Sequence, residues 1–322
     1  MKISVSKDVF PLAQVFTIAR GSRTEAVVLR VVIEEDGFTG HGECVPYARY
    51  NETVESVTAQ IEGLPTPLTR EELQPALPAG AARNAIDCAL WDLEAKKAGV
   101  PAWKLAGIGE PTPEVTAYTL SLDTPEKMQA QAAGNAGRPL LKTKLGGGIE
   151  DIARIEAVRK GAPEARIIVD ANEGWTAAIY RELAPVLVRL GVEMVEQPFP
   201  AADDDALLEI ERVLPVCADE SCHDRESLPA LKGKYDMINI KLDKTGGLTE
   251  ALKLRDAALA EGYKVMVGCM VGSSLAMAPA VLVASGAAVV DLDGPLLLSE
   301  DREHSLEYDD KFVFPPQSVL WG

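Results

Sequence analysis

LLKTKL (140–145), RIIVDAN (166–172), EMVEQP (193–198), VCADES (216–221), MINIKLD (237–243), KVMVGCM (264–270) and VVDLDG (289–294) form a ladder of short apolar runs. Each run closes on polar or charged residues. Lys144, Asp170, Glu196, Asp219, Lys241, Cys269 and Asp291 mark the rungs and recur every 22 to 28 residues. That is the length of one strand, one helix and two short connections. Apolar strands with polar C-terminal ends, alternating with helices, predict a (β/α) barrel whose chemistry gathers on its C-terminal face. VTAYTLS (115–121) supplies an eighth strand ahead of the ladder. Helices are expected over 149–160, 176–190, 204–213, 248–261 and 274–285, with Thr124-Pro125 opening the first barrel helix. The last strand has no long helix after it.

Outside the ladder the rhythm changes. Residues 1 to about 50 read as a three-stranded antiparallel sheet, with a D-G turn at 36–37 and a loop at FTIARGSRTE (16–25) that carries Arg20 and Arg23. Residues 52 to 99 read as helices. Thr69 with Glu72 makes a capping box, and Gly99 then Pro101 stop the long segment 81–99. These signals predict an α+β capping domain over 1–110 and a barrel over 111–299, with a tail from 300 to 322 that returns to complete the cap. The apolar stripe of 81–99 suits burial against the barrel or against a second subunit, so a homo-oligomer stays open.

Composition narrows the function classes. A chain of 322 residues holds a barrel of roughly 200–250 residues plus a smaller unit. An apolar fraction of 47% is that of a globular protein. With 32 basic and 49 acidic residues the net charge is −17, which repels nucleic acid and anionic membranes. No apolar run is long enough to span a membrane, and MKISVSKDVF is no signal segment. Five cysteines without a CxxC pair suggest a reducing, cytoplasmic setting.

The rung residues carry the chemistry. Asp170, Glu196 and Asp219 end three consecutive strands, and three such carboxylates suit a hard divalent cation that keeps open positions for substrate. Lys142 and Lys144, two residues apart, share one face of their strand, and Lys241 ends the sixth. If inward, Lys144 and Lys241 face each other across the barrel mouth. Taking a proton from the carbon next to a carboxylate creates an enediolate, which needs cations already in place. A base on one face and an acid on the other would invert that carbon. Asn172, Glu220 and Asp243 are supporting candidates, with Glu220 within reach of Lys241. Asp291 and Asp293 in DLDGP form a second carboxylate pair suited to a substrate ammonium. Cys269 and the VGSS after it sit where a helix N-terminus could meet a substrate oxygen. The glycine runs 146–148 and 246–247 lack a phosphate-loop pattern and read as tight turns. A Schiff-base aldolase would use one lysine but not three acids. A non-catalytic scaffold would need neither.

K-T-K, VDANEGW, VEQP, ADES, NIKLDKTGG and DLDGP, in this order, resemble the enolase superfamily, muconate-lactonising subgroup, and within it the dipeptide epimerases of the L-Ala-D/L-Glu type. The resemblance extends through IARGSR, HGEC and PAGAARNAIDCALWDL, essentially the whole chain. It implies a modified TIM barrel, (β/α)7β, under an N-terminal α+β capping domain. It implies Mg2+ on Asp170, Glu196 and Asp219, with Lys144 and Lys241 as the acid/base pair and Lys142 supporting the enediolate. Asp291 and Asp293 would bind the dipeptide ammonium, and Thr119 and Cys269 would touch substrate. Arg23, with Arg20 in reserve, would meet a glutamate side chain. The implied role is recycling of cell-wall peptide. Other reactions of the subgroup, on muconates, o-succinylbenzoate precursors or N-succinyl amino acids, use substrates without a free ammonium.

Overall fold

The structure, a computed structural model, describes residues 1–322. The chain opens on an antiparallel sheet of β1 (Lys2–Ile18), β2 (Gly21–Glu35) and β3 (Phe38–Cys44). Helices α1 (Val54–Glu62), α2 (Arg70–Ala76) and α3 (Ala81–Ala98) follow, then the single turn α4 (Ala102–Leu105). Thr69 and Glu72 form the expected capping box. Leu29, Val31, Ile33, Ile86, Ala89 and Leu93 lie in one core between sheet and helices. Helix α3 is buried on nearly every side, between this sheet and the barrel, so its stripe is covered within the chain.

After a two-residue strand β4 (Glu114–Val115) comes the barrel. Its strands are β5 (Tyr118–Leu120), β6 (Leu140–Lys144), β7 (Arg166–Asp170), β8 (Val192–Glu196), β9 (Val216–Ala218), β10 (Met237–Ile240), β11 (Lys264–Gly268) and β12 (Val289–Asp291). They pair in parallel in chain order. Thr116 bridges Val290, and Ala117 N–H donates to Val290 O at 2.8 Å, closing the ring. The outer helices are α5 (Pro125–Gly134), α6 (Asp151–Gly161), α7 (Ala177–Arg189), α8 (Leu228–Leu231), α9 (Leu242–Thr245), α10 (Leu248–Ala260) and α11 (Ser274–Ala284). A modified TIM barrel under an α+β cap is therefore the fold. The tail adds β13 (Phe312–Val313), which pairs with β4 rather than with the cap sheet. The tail still reaches the cap elsewhere: Arg302 pairs with Glu43 and Asp8, and Trp321 Nε1 donates to Cys88 O at 3.0 Å.

One expected helix is missing. Residues 204–213 form only one short 3-10 turn, Asp205–Leu208, just after another at Ala201–Asp203. The segment is anchored instead through Asp204, whose buried carboxylate is tied to Lys234, Ser221 and Tyr235. At the seam between cap and barrel, Gly247 has φ +109, and a Cβ there would lie 2.5 Å from Asp87 of α3. Only glycine lets the cap helix approach this closely.

Candidate active site

Strand parity builds the site. Ala117, Leu140, Ile168, Met194, Cys217, Met237, Met266 and Val289 form one apolar layer, a residue from each strand or its lead-in. Side chains two residues further along a strand point the same way. The next layer is therefore Thr119, Lys142, Asp170, Glu196, Asp219, Asn239, Gly268 and Asp291, and Lys144, Asn172, Lys241 and Asp293 stand above it. Register supports the shared facing, pairing Lys144 with Asp170 and Asp170 with Glu196 across β6, β7 and β8, while the stagger of tilted strands sets Lys144 one step above the layer of Lys142. Lys142, Lys144 and Lys241 are only 2%, 8% and 6% exposed, so none points to the solvent side of the helical shell. Strands β6 and β10 have three strands between them in either direction around the ring. Lys144 and Lys241 thus line opposite walls of one cavity.

Each lysine already has an acid. Lys144 Nζ donates to Asp170 Oδ2 at 2.5 Å, and Lys241 Nζ to Asp219 Oδ2 at 2.6 Å. Lys142 Nζ lies 2.7 Å from both Asp291 Oδ2 and Glu196 Oε2 and 3.4 Å from Asp170 Oδ2. Burial opposes charge on Lys142 and Lys241, but the surrounding carboxylates outweigh it and hold both ammonium groups well above the ordinary lysine range. Burial would raise Asp170, yet Lys144 and Lys142 pull it down to about 2. Glu196 is pushed up to about 7, by burial first and by Asp170 next. Asp293 is also pushed up to about 7, by burial and then by Asp291. It accepts from Thr119 N–H at 2.6 Å, while Asp291 Oδ1 is buried without a hydrogen-bond partner.

The three acids expected to hold a metal do not close on one empty point here. Ammonium groups stand between them. Glu196 Oε2 is near Lys142 but has no hydrogen bond. The donors are all carboxylate oxygens, and the Lys142 ammonium already occupies a cation position between two of them. Asp170, Glu196, Asp219, Glu220, Asp291 and Asp293 outnumber the cations Lys142, Lys144, Lys241, Lys244 and Arg20. This donor set fits a hard cation.

The cap supplies the roof. Arg20, in the β1–β2 turn, is committed to the barrel: its guanidinium bonds Glu220 at 2.8 Å, Asn172 O at 3.0 Å and Glu173 at 3.3 Å. Arg23 lines the cavity and has no carboxylate partner; its guanidinium lies over the Tyr47 ring at 5.2 Å. Glu220 thus bonds Arg20, not Lys241 as the sequence suggested. The strand has ended at Ala218, and the turn aims Glu220 at the cap. Asn172 bonds Asp170, with its N–H donating at 2.8 Å and Nδ2 at 3.1 Å. Asp243 faces the cap rather than the cavity, accepting from Val45 N–H at 3.0 Å and Asn84 Nδ2 at 2.8 Å. Cys269 and Thr119 line the cavity.

Family models match both parts of the chain. Residues 1–107 match the mandelate racemase / muconate lactonizing enzyme N-terminal domain, and residues 127–318 match the enolase C-terminal domain-like model. The chain belongs to the mandelate racemase / muconate lactonizing enzyme family of the enolase superfamily. It is similar to the L-Ala-D/L-Glu epimerase of Escherichia coli K12, 49% identical over 95% of this chain and 97% of that one. It is also similar to an N-acetyl-D-glutamate racemase from Pseudoalteromonas, 48% identical over 91% and 94%. Among solved structures, an enolase family member from Agrobacterium tumefaciens, with homology to dipeptide epimerases and holding sodium and L-Ala-L-Glu, matches at TM-score 0.97. Identity is 52% over 99% of both chains. The Enterococcus faecalis dipeptide epimerase, complexed with Mg and L-Leu-L-Tyr, matches at TM-score 0.91 and 31% identity, covering 98% and 96%. As a member of this family of epimerases and racemases, the chain is an isomerase.

Three residues of this family member escaped the sequence reading. Asn239 Nδ2 donates to Glu196 Oε1 at 2.7 Å. Its parity with Lys241 on an apolar strand was the available signal. Gly268 makes room for it, since a Cβ there would lie 2.6 Å from Asn239 Oδ1. Lys244 and Gln197 both hold Asp219, and nothing in their spacing announces it, because each lies past the end of its strand.

Proposed function

We propose that this enzyme epimerises dipeptides, L-Ala-D-Glu and L-Ala-L-Glu foremost, by moving the α-proton of the second residue between Lys144 and Lys241. The observation that carries this reading is the buried, unpartnered Asp291 Oδ1 beside Asp293. Two buried carboxylates with a free oxygen call for a cationic donor, and a dipeptide's α-ammonium provides one. With the ammonium there, the peptide extends toward the opposed lysines. The lysine that enters as the neutral amine takes the α-proton from one face and becomes ammonium, while the other enters as ammonium and gives its proton to the opposite face, so the carbon inverts through an enediolate. Lys142 offers its fixed charge to the carboxylate as it gains electron density. Thr119 and Cys269 border the bound peptide, and Arg23 meets the glutamate side chain.

Asp170, Glu196 and Asp219 would hold Mg2+, with Asn172 fixing Asp170 and Glu220 fastening the roof. Bound there, Mg2+ supplies Lewis-acid stabilisation to the substrate carboxylate. On this reading the enzyme would serve the cytoplasmic recycling of cell-wall peptide.

The similarity to an N-acetyl-D-glutamate racemase favours a second reading, the same proton transfer on an N-acyl amino acid. Such a substrate has no ammonium and would leave Asp291 and Asp293 facing a neutral acyl group. Incubation with Mg2+ in D2O, followed by proton NMR, separates the two. Deuterium should enter the second residue of L-Ala-L-Glu as the other epimer appears. Exchange with N-acetylglutamate and with no dipeptide would replace the first reading by the second.

A further inference from the structure

Lys244 is a fourth lysine at the ladder's acids, distinct from Lys142 and from the two lysines assigned to proton transfer. Its side chain is fully enclosed. Nζ donates to Asp219 Oδ1 at 2.6 Å, to Asp219 O at 2.6 Å and to Asn239 O at 2.9 Å. An ammonium has three N–H bonds, and here all three are used, so none is left for substrate.

Asp219 needs such a holder. Asp170 and Glu196 lie within their strands, where ladder bonds set their direction. Strand β9 ends at Ala218, one residue short of Asp219. The peptide is instead clamped from both sides. Gln197 Oε1 accepts the N–H of Asp219 at 2.9 Å and of Ser221 at 3.1 Å. Gln197 Nε2 is fixed in turn by Phe199 O, Ser221 Oγ and Tyr235 Oη at 2.8 to 2.9 Å. Lys244 takes the carbonyl and one carboxylate oxygen from the other side, so Oδ2 is the oxygen turned toward Lys241 and the cavity.

We propose that Lys244 is a positioning residue that orients the Asp219 carboxylate and thereby sets the enzyme's affinity for its divalent cation. The inference rests on the metal assignment made above. It has a sign that charge alone does not share. A fixed ammonium near a metal ligand repels a dication, so removing that charge would tighten metal binding if electrostatics governed. If orientation governs, removal weakens binding even though a repulsive charge has gone.

Calorimetric titration of Mg2+ into wild-type, Lys244→Met and Lys244→Gln proteins, without substrate, reads this directly. Met keeps the length without the donors, and Gln keeps an N–H donor. The expected result is a Kd about 10- to 100-fold weaker in Lys244→Met and partly recovered in Lys244→Gln, the size found for groups that orient metal ligands. Exchange in D2O at saturating Mg2+ should return kcat toward wild type, with the loss confined to metal dependence. An unchanged or tighter Kd in a folded variant, judged by circular dichroism, overturns the proposal. Should the Met variant not fold, the Gln variant carries the same comparison. A wild-type protein that takes up no Mg2+ overturns the metal assignment, a different failure from equal affinities in wild type and variant.

Discussion

On the proposed reading, one oxygen of Asp291 would select the substrate. Its Oδ2 is spent on Lys142 and its Oδ1 has no partner. Replacing it with asparagine would remove a charge from the proposed ammonium site and leave the strand ladder intact. Asp291→Asn is expected to raise KM for L-Ala-L-Glu at least tenfold, the cost of one charge-assisted bond of about 1.5–3 kcal/mol. Turnover of an N-acyl amino acid should not fall in parallel. Steady-state kinetics on both substrates checks this, and equal losses on the two would remove the ammonium assignment. At this scale much could be read from sequence alone. A charged residue on an apolar strand with inward parity, such as Lys142 or Asp170, has almost nowhere to go but the barrel mouth. Lys244 and Glu220 could not be read this way, because parity stops where the strand stops.

Elements decide how the site is roofed. Glu173, with φ +67 in the loop after β7, takes Arg49 through two bonds of 2.7 Å and also holds Ala201 N–H at 2.8 Å. Through Arg20 it also reaches the β1–β2 turn. Glu173→Gln should loosen that turn, raising KM about three- to tenfold with a smaller change in kcat and faster amide exchange over residues 16–23. Unaltered exchange there would separate Glu173 from the roof. The seam beneath depends on Asp87, which accepts from Thr249 N–H at 2.9 Å at the start of α10. Burial pushes its carboxyl up to about 6 despite these bonds. The folded state therefore holds this proton more tightly than the unfolded chain. The stability it contributes is full below about pH 4 and is lost as pH rises through 6, by roughly 3 kcal/mol at most. Urea unfolding of wild type and Asp87→Asn between pH 4 and 7 should differ in slope over that window, with the wild type falling more steeply. The missing helix at 204–213 belongs to this scale too. The local sequence suits a helix, and nothing local announces that Asp204 is held inward by the distant Lys234 and Tyr235.

At the scale of the whole molecule, ring closure matters most. The periodic ladder announced eight strands and a separate cap. It could not show that the tail strand β13 pairs with β4, a contact between segments almost 200 residues apart. Crowded carboxylates make the molecule responsive to its cation. Mg2+ at one hundred times its Kd should raise unfolding free energy by about 2.7 kcal/mol, and EDTA should abolish both that gain and α-proton exchange. Thermal scans with and without Mg2+ measure the first, and a Tm indifferent to the ion would contradict it. Ring closure also puts β6 opposite β10, so on the proposed mechanism each lysine would serve one face of the substrate carbon. The most direct measurement is deuterium exchange by Lys144→Ala and Lys241→Ala on L-Ala-L-Glu and L-Ala-D-Glu separately. Each variant should lose epimerisation by about 10²–10⁴-fold while retaining exchange on one epimer only, and the two variants should retain it on opposite epimers. Retention on the same epimer in both, or undiminished epimerisation in either, would contradict two opposed lysine bases.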